Sequence, residues 1–293
     1  MKRAHVALFI AIVSVSFAAV LIVSTDAEPL TIAFYRMLFT MLLLAPFFVL
    51  QRYRRELAGL ARRDLLGLAG IGVVLAAHFA FWISSLDHTS VASSVILVTA
   101  HPVLVAPLAY HFFQERVSRV NVGGIALSLL GVVVLVGGNY DLEAGTLYGN
   151  LLAMLGGAAA GVYILGGRRM RHTLSTPVYA LTVYGVATVV LAGIVLVARA
   201  QLTGVGLRSY GLILAMALVP GIFGHTLYNW ALKYVRASVA SVSLLGEPLG
   251  STMLAFALPW IHQVPSWYTL AGGTCILLGI YLASRTAAQP EPL

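Results

Sequence analysis

The sequence predicts an all-α integral membrane protein, with ten transmembrane helices in two inverted five-helix repeats around a central cavity. Three observations carry this. First, 60% of its 293 residues are hydrophobic and only 10% charged, and mean hydropathy is +0.93. A soluble domain carries about 25% charged residues to keep its surface wetted. Second, Lys and Arg concentrate in alternate connections. Third, the chain matches itself at a constant offset. The length alone would suit one or two soluble domains, but too few charges exist to cover them. Disorder and collagen are excluded by the same composition, and a disulfide scaffold by the single Cys275.

A spanning helix needs about 20 mostly apolar residues and tolerates Gly or Pro. Ten stretches qualify, at 6–24, 30–50, 65–86, 90–112, 120–138, 147–167, 177–198, 209–232, 237–258 and 267–284. Their connections are too short for a soluble domain. Lys2 and Arg3 before an apolar stretch resemble a signal peptide. Val6 to Val23 exceeds an h-region of about 7–15 residues, so we expect an uncleaved first helix.

With the N-terminus in the cytoplasm, all Lys and Arg residues except Arg36, Arg199 and Arg208 fall on inner segments. The outer connections carry Asp26, Glu28, Asp87, Asp141 and Glu143. Short-loop Lys/Arg bias sets orientation, so both termini are expected in the cytoplasm. The net charge of +8 is then topological, and no nucleic-acid partner is expected.

Shifting the chain by 148 residues matches Pro29 to Pro177, Trp82 to Trp230, and Ser90-Val91-Ala92-Ser93 to Ser238-Val239-Ala240-Ser241. The same shift matches Gly124 to Gly272 and Gly131 to Gly279. A two-residue slip between these groups sets His101-Pro102 against Glu247-Pro248. The expected halves are residues 1–143 and 144–293. Five spans is an odd number, so the second copy enters the membrane from the opposite side. Inverted repeats give two conformations of similar energy with access exchanged, and hold substrate near the midplane where the copies meet. That pattern predicts a carrier.

With its fourth helix in each half reading as small residues, a mid-membrane proline and a Gly-spaced continuation, the chain resembles the drug/metabolite transporter superfamily. The EamA-type bacterial branch is most similar. The residues carrying this are Ser90–Pro102, Gln114-Glu115-Arg116-Val117-Ser118, and Ser238–Pro248. Glu115 to Ser118 is similar to a Gly-Glu-x-x-Ser helix ending, with Gln114 where glycine is usual. The second half departs further, with His262-Gln263-Val264-Pro265. Within the superfamily the chain looks most like the YddG-type amino-acid exporters. The resemblance implies export of amino acids and related metabolites; other members move sugars, nucleotide sugars or drugs.

An ionised side chain at the bilayer centre costs about 2.5–3.5 kcal/mol, so each one needs a reason. Arg36, His78, His101, His225 and Glu247 fall deep in spans, whereas His111 lies at a helix end. Glu247 either anchors a substrate amine, carries a proton, or satisfies the Pro248 kink. His101 is its counterpart beside Pro102 and is either a cavity residue or a packing residue. His78, Trp82 and Ser85 share one helical face, and His225, Tyr228 and Asn229 form a similar stripe beside Trp230. These are expected to wall a cavity; helix–helix hydrogen bonding and, for the tryptophans, an interfacial belt are the competing readings. Trp260 and Trp267 are belt residues.

Arg36, beside Tyr35, either binds a carboxylate or snorkels to the interface. Ser14, Ser16 and Tyr163 are further candidates, with close packing as the serines' alternative. Pro102, Pro107, Pro248 and Pro259 fall on the fourth and ninth helices and are expected hinges, Pro220 lying apart. The Gly-Gly pairs at 123–124, 156–157, 166–167 and 272–273 suit close packing.

There is no Walker A, dinucleotide-binding or HExxH pattern and no metal-ligand spacing. No cofactor or metal is expected, and an intramembrane enzyme or channel is the distant alternative. The sequence therefore predicts an inner-membrane secondary transporter acting as a monomer on a small molecule, with amino acids first among the substrates.

Overall fold

Apolar residues without charge for twenty positions leave the backbone one way to satisfy its own amides away from water, which is helix. A computed structural model describes residues 2–89, 91–114, 118–137, 144–258 and 267–285, and these are helical with no strand among the described residues. In chain order the helices are α1 (Lys2–Val23), α2 (Pro29–Leu44, running into a 3-10 turn over Ala45–Val49), α4 (Arg62–Ser85), the pair α5 (Val91–Thr99) and α6 (Pro102–Phe113), and α7 (Arg119–Gly137). The remainder are α8 (Ala144–Arg171), α9 (Thr176–Ala198), α10 (Leu207–Met216) with α11 (Leu227–Ala231), the pair α12 (Ala237–Ser243) and α13 (Gly246–Ala257), and α14 (Trp267–Arg285). Seven segments are long and apolar enough to cross a membrane, and Arg119–Val134 and Leu270–Leu282 are shorter apolar helices. Ser90, Glu115, Arg116, Val117, Asp141, Glu143, Pro259, Trp260, His262, Gln263, Val264 and Pro265 lie outside the described residues.

Three spans depart from the continuous helices that periodicity suggests, and proline accounts for each. Pro102 has no N–H for the Val98 carbonyl, so the fourth span breaks at Ala100–His101 and α6 begins at Pro102. Pro248 cannot donate to the Leu244 carbonyl, which takes the Glu247 N–H instead at 2.9 Å, just past the break between α12 and α13. Pro220 sits in a π-helical segment over Ala217–Thr226 that joins α10 to α11. Such segments are rare and gather at functional sites. A further helix, α3 (Gln51–Ala58), occupies what the sequence suggested was plain connection. Its Arg52, Arg54 and Arg55 are exposed, while Glu56 Oε1 accepts the Ser175 N–H at 2.6 Å and ties the α2–α4 connection to the start of α9.

The surface is apolar, unlike that of a soluble bundle, and the interior combines an apolar core with buried polar groups. Phe9, Val189, Val197 and Leu207 are more than half exposed, whereas Arg36, Thr31, Thr40, Ser94, Ser128 and Asn229 are fully buried. Helix contacts are set where glycine lets backbones close. Gly156 and Gly157 of α8 bring it against Trp82 of α4 and the Leu97 and Val98 carbonyls of α5. α1 lies along the π segment and α13, α2 along α9, and α7 along α14.

At the last contact, a methyl added to Gly131 would lie 2.5 Å from the Gly272 carbonyl oxygen, and one added to Gly279 would lie 2.5 Å from that of Gly124. Gly131→Ala is therefore expected to destabilise the purified protein by about 1–3 kcal/mol through overpacking. Gly123→Ala, whose methyl meets nothing within 4 Å, should be neutral or stabilise by up to about 1 kcal/mol. Thermal unfolding of the two variants checks this, and equal effects would contradict the packing described.

Candidate functional site

The two broken spans lie side by side, α5 against α13 and α6 against α12. Each break exposes a polar residue halfway along its span. His101 precedes the first residue of α6, and Glu247 is the second residue of α13. His101 Nδ1 meets Ser241 Oγ of α12 at 2.7 Å, which links the two breaks.

Across from them, α4 turns His78, Phe79 and Trp82 inward. His78 and Trp82 are one helical turn apart and stack, centroids 5.9 Å apart at 14°. His78 Nδ1 lies 2.9 Å from the Gly156 carbonyl oxygen. A carbonyl only accepts, so Nδ1 carries the hydrogen and a neutral ring keeps Nε2 as an acceptor. The π segment delivers His225 edge-on to Phe79 at 5.4 Å and to His78 at 6.4 Å. These elements form a cavity lined by His78, Trp82, His101, Tyr163, His225, Tyr228 and Glu247, together with Val15, Val98, Thr99, Ala160, Ile164 and Leu244.

Behind Tyr163 lies a polar network. Asn229 is fully buried and donates through Nδ2 to the hydroxyls of Tyr163 at 2.5 Å and Tyr184 at 3.1 Å. Tyr184 reaches Thr226 at 3.2 Å, whose hydroxyl donates to the Gly221 carbonyl inside the π segment at 3.0 Å. Arg171, at the end of α8, donates through Nε to the Asn229 carbonyl at 3.0 Å, through Nη2 to Thr176 Oγ1 at 2.6 Å, and through Nη1 to the Leu174 carbonyl. The cavity wall is thus clamped to the α8–α9 turn.

Glu247 lines the cavity, and the charge that acts on it is Arg36. Several buried polar groups are left without hydrogen-bond partners. Trp82 Nε1, Tyr228 Oη, Asn229 Oδ1, Asn150 Nδ2 and Tyr179 Oη are unpaired. So are all three nitrogens of Arg36, which does not snorkel: it is fully buried, turned toward α4, with its guanidinium carbon 4.6 Å from the Phe79 centroid and 5.7 Å from that of Trp82. Buried polar groups in native structures are nearly always hydrogen-bonded, so each unpaired one calls for an explanation, a water, ion or ligand position among them.

The remaining candidates are placed as follows. Trp82 is buried rather than belted at an interface. Trp230 stacks on Tyr234, away from the cavity. Tyr35 turns outward to the Leu202 carbonyl at 2.9 Å and Tyr210. Ser14 and Ser16 bond back to the Ile10 and Ile12 carbonyls, and Gly250 packs on Ser16. Ser85 pairs with Ser94 at 2.6 Å. Of the prolines, Pro102 and Pro248 are buried beside the cavity, Pro107 is exposed within α6, and Pro259 lies outside the described residues. Phe79, Thr99 and Tyr184 belong to the site and were not singled out in the sequence. Phe79 shares its helical face with Trp82 but is itself apolar, and Thr99 and Tyr184 are common residues in apolar helices. Among the described residues no three His, Cys, Asp or Glu side chains gather as metal ligands.

Comparison with known proteins agrees with this architecture. A profile of the EamA-like transporter family matches residues 3–137 and again residues 147–285. An uncharacterized transporter of Archaeoglobus fulgidus is 24% identical over 282 residues, 94% of each chain. The uncharacterized transporter YyaM of Bacillus subtilis is 23% identical over 78% of this chain and 74% of its own. The pseudopaline exporter CntI of Pseudomonas aeruginosa is 25% identical over 237 residues, 80% of each. A crystal structure superposes with a TM-score of 0.78 over all of both chains at 20% identity, which shows a shared fold. The chain belongs to the EamA-like transporter family and is a multi-pass membrane transporter.

Proposed function

We propose that the protein exports amino acids and related small metabolites across the bacterial inner membrane by alternating access. Ten transmembrane helices form two inverted repeats, residues 1–143 and 144–293, with both termini in the cytoplasm and one chain as the working unit. The observation that carries the substrate class is Glu247: a buried acidic side chain lining an aromatic cavity halfway along the bundle. Such a group suits an amine on an otherwise apolar solute.

The inverted repeat rests on reciprocity at α7 and α14. Gly131 closes on Gly272, and Gly279 closes on Gly124. Under the 148-residue shift these two contacts exchange, as they do across a two-fold axis. The hydrogen bond from Ser128 Oγ to the Ile276 carbonyl joins two positions related by the same shift. α4 on α8 is matched in the same way by α1 on the π segment. The family profile matching residues 3–137 and again 147–285 supports two copies, and the exporter named among the relatives supports export as the direction.

Counterflow in proteoliposomes tests the reading. Vesicles preloaded with amino acids should accumulate matched labelled tracer, and Glu247→Gln should lower that accumulation at least about tenfold, the equivalent of roughly 1.4 kcal/mol. Accumulation with sugars or organic cations alone would overturn the substrate class while leaving the carrier.

The hinges are tested separately. Pro102→Ala and Pro248→Ala restore N–H groups that the Val98 and Leu244 carbonyls can accept, which lets each break close. Both variants should slow exchange several-fold with tracer affinity little changed. An unchanged exchange rate in both would remove the breaks from the transport cycle.

A further inference from the structure

Arg36 is the most costly residue in the bundle. Its side chain is fully buried and none of its three nitrogens has a hydrogen-bond partner. The rings of Phe79 and Trp82 lie against the guanidinium, and cation–π attraction offsets part of the burial. Rings engage the face of the cation, however, and leave the N–H donors around its edge unmet. Glu247 acts on Arg36 through space but closes no ion pair with it. Trp82 adds a second unpaired donor, Nε1, beside the first. This corner of the bundle therefore holds donors without acceptors, next to a cavity that Trp82 also lines. A purely structural residue here would do better apolar, because a buried unpaired charge destabilises. A planar fork of donors matches a carboxylate edge to edge.

We infer that Arg36 is the seat for the carboxylate of the transported solute, uncovered when the Trp82 indole swings aside and lends its Nε1–H as a further donor. The inference rests on the cavity being the substrate site. With the amine at Glu247 and the carboxylate at Arg36, a zwitterion supplies both missing partners at once and leaves its side chain among His78, Tyr163 and Tyr228. The transported class is then α-amino acids with a free carboxylate, and their amides and esters are excluded.

The test uses the full chain in lipid nanodiscs with Trp230, Trp260 and Trp267 changed to Phe, so that fluorescence reports Trp82. Leucine, phenylalanine, threonine and histidine are each titrated beside their primary amides, and sodium chloride is titrated alone. The free acids should shift Trp82 emission and bind about 10- to 100-fold more tightly than the amides, the range of charged hydrogen bonds. R36Q should abolish that preference by weakening the acids and sparing the amides, and R36K should restore part of it. Without ligand, R36M should raise the midpoint of thermal unfolding, whereas a structural arginine would lower it. Acids and amides binding alike, or R36Q weakening both alike, would overturn the carboxylate seat and leave the cavity standing. Displacement of the acids by chloride alone would make the site one for inorganic anions and overturn it as well. No response to any amino acid or amide by folded protein would overturn the cavity as the substrate site, and the seat with it.

Discussion

Lipid offers a buried polar group no water, so every polar atom in a membrane bundle finds a partner in the protein or stands exposed as a cost. The rest of this structure follows from that constraint. Backbone amides are satisfied within helices, and hydroxyls bond back to their own helix, as Thr40 does to the Arg36 carbonyl and Thr99 to that of Val95. The ladder is interrupted at Pro102, Pro220 and Pro248, which face the interior, and at Pro107, which is exposed within α6. The three interior interruptions surround one cavity. Of the buried polar atoms that remain unsatisfied among the described residues, Trp82 Nε1, Tyr228 Oη, Asn229 Oδ1 and the Arg36 guanidinium lie on or directly behind its wall, whereas Asn150 Nδ2 and Tyr179 Oη do not line it.

Glycine does the complementary work. Close backbone approach at Gly156, Gly157 and Gly131 draws helices together with little side chain between them, the arrangement that van der Waals packing favours in membranes. The tight α7–α14 pair lies apart from the cavity. Around the cavity, the close contacts of Gly156 with Trp82 and of Gly157 with the Val98 carbonyl are joined by a few directional bonds: His78 to Gly156, His101 to Ser241, and Arg171 to the Asn229 carbonyl.

Much of the site is legible in the sequence because charge in an apolar span is conspicuous. His78, His101, His225 and Glu247 could be found by their chemistry alone, and His101 and Glu247 by their equivalence beside two prolines. Periodicity brought Trp82 and Tyr228 with them. The same two prolines mark the α5–α6 and α12–α13 breaks as hinges, although hydropathy averages over them. Other features leave no such mark. The π segment looks like helix in composition, and its widened ladder arises from Pro220 and from contacts with α1 and α2, which are remote in sequence. The direction of Arg36 was equally hidden. A long side chain near a helix start can reach headgroups or turn inward, and only the placement of Phe79 and Trp82 across the bundle decides between them. Phe79 itself, one phenylalanine among 12, has no local signal.

These features converge on one claim, that a single cavity between two related halves is reached from each side of the membrane in turn. Ala160 lines that cavity without joining the hydrogen-bond network. Replacing it with Cys, in a chain whose only native cysteine, Cys275, is changed to Ala, places one thiol on the path. Labelling by a membrane-impermeant maleimide, applied to right-side-out and then inside-out vesicles, is the most direct measurement. The account predicts modification from both faces, slowed by transported amino acid, with excess solute on one side shifting which face reacts faster. Modification from one face only, unaffected by any solute, would contradict it.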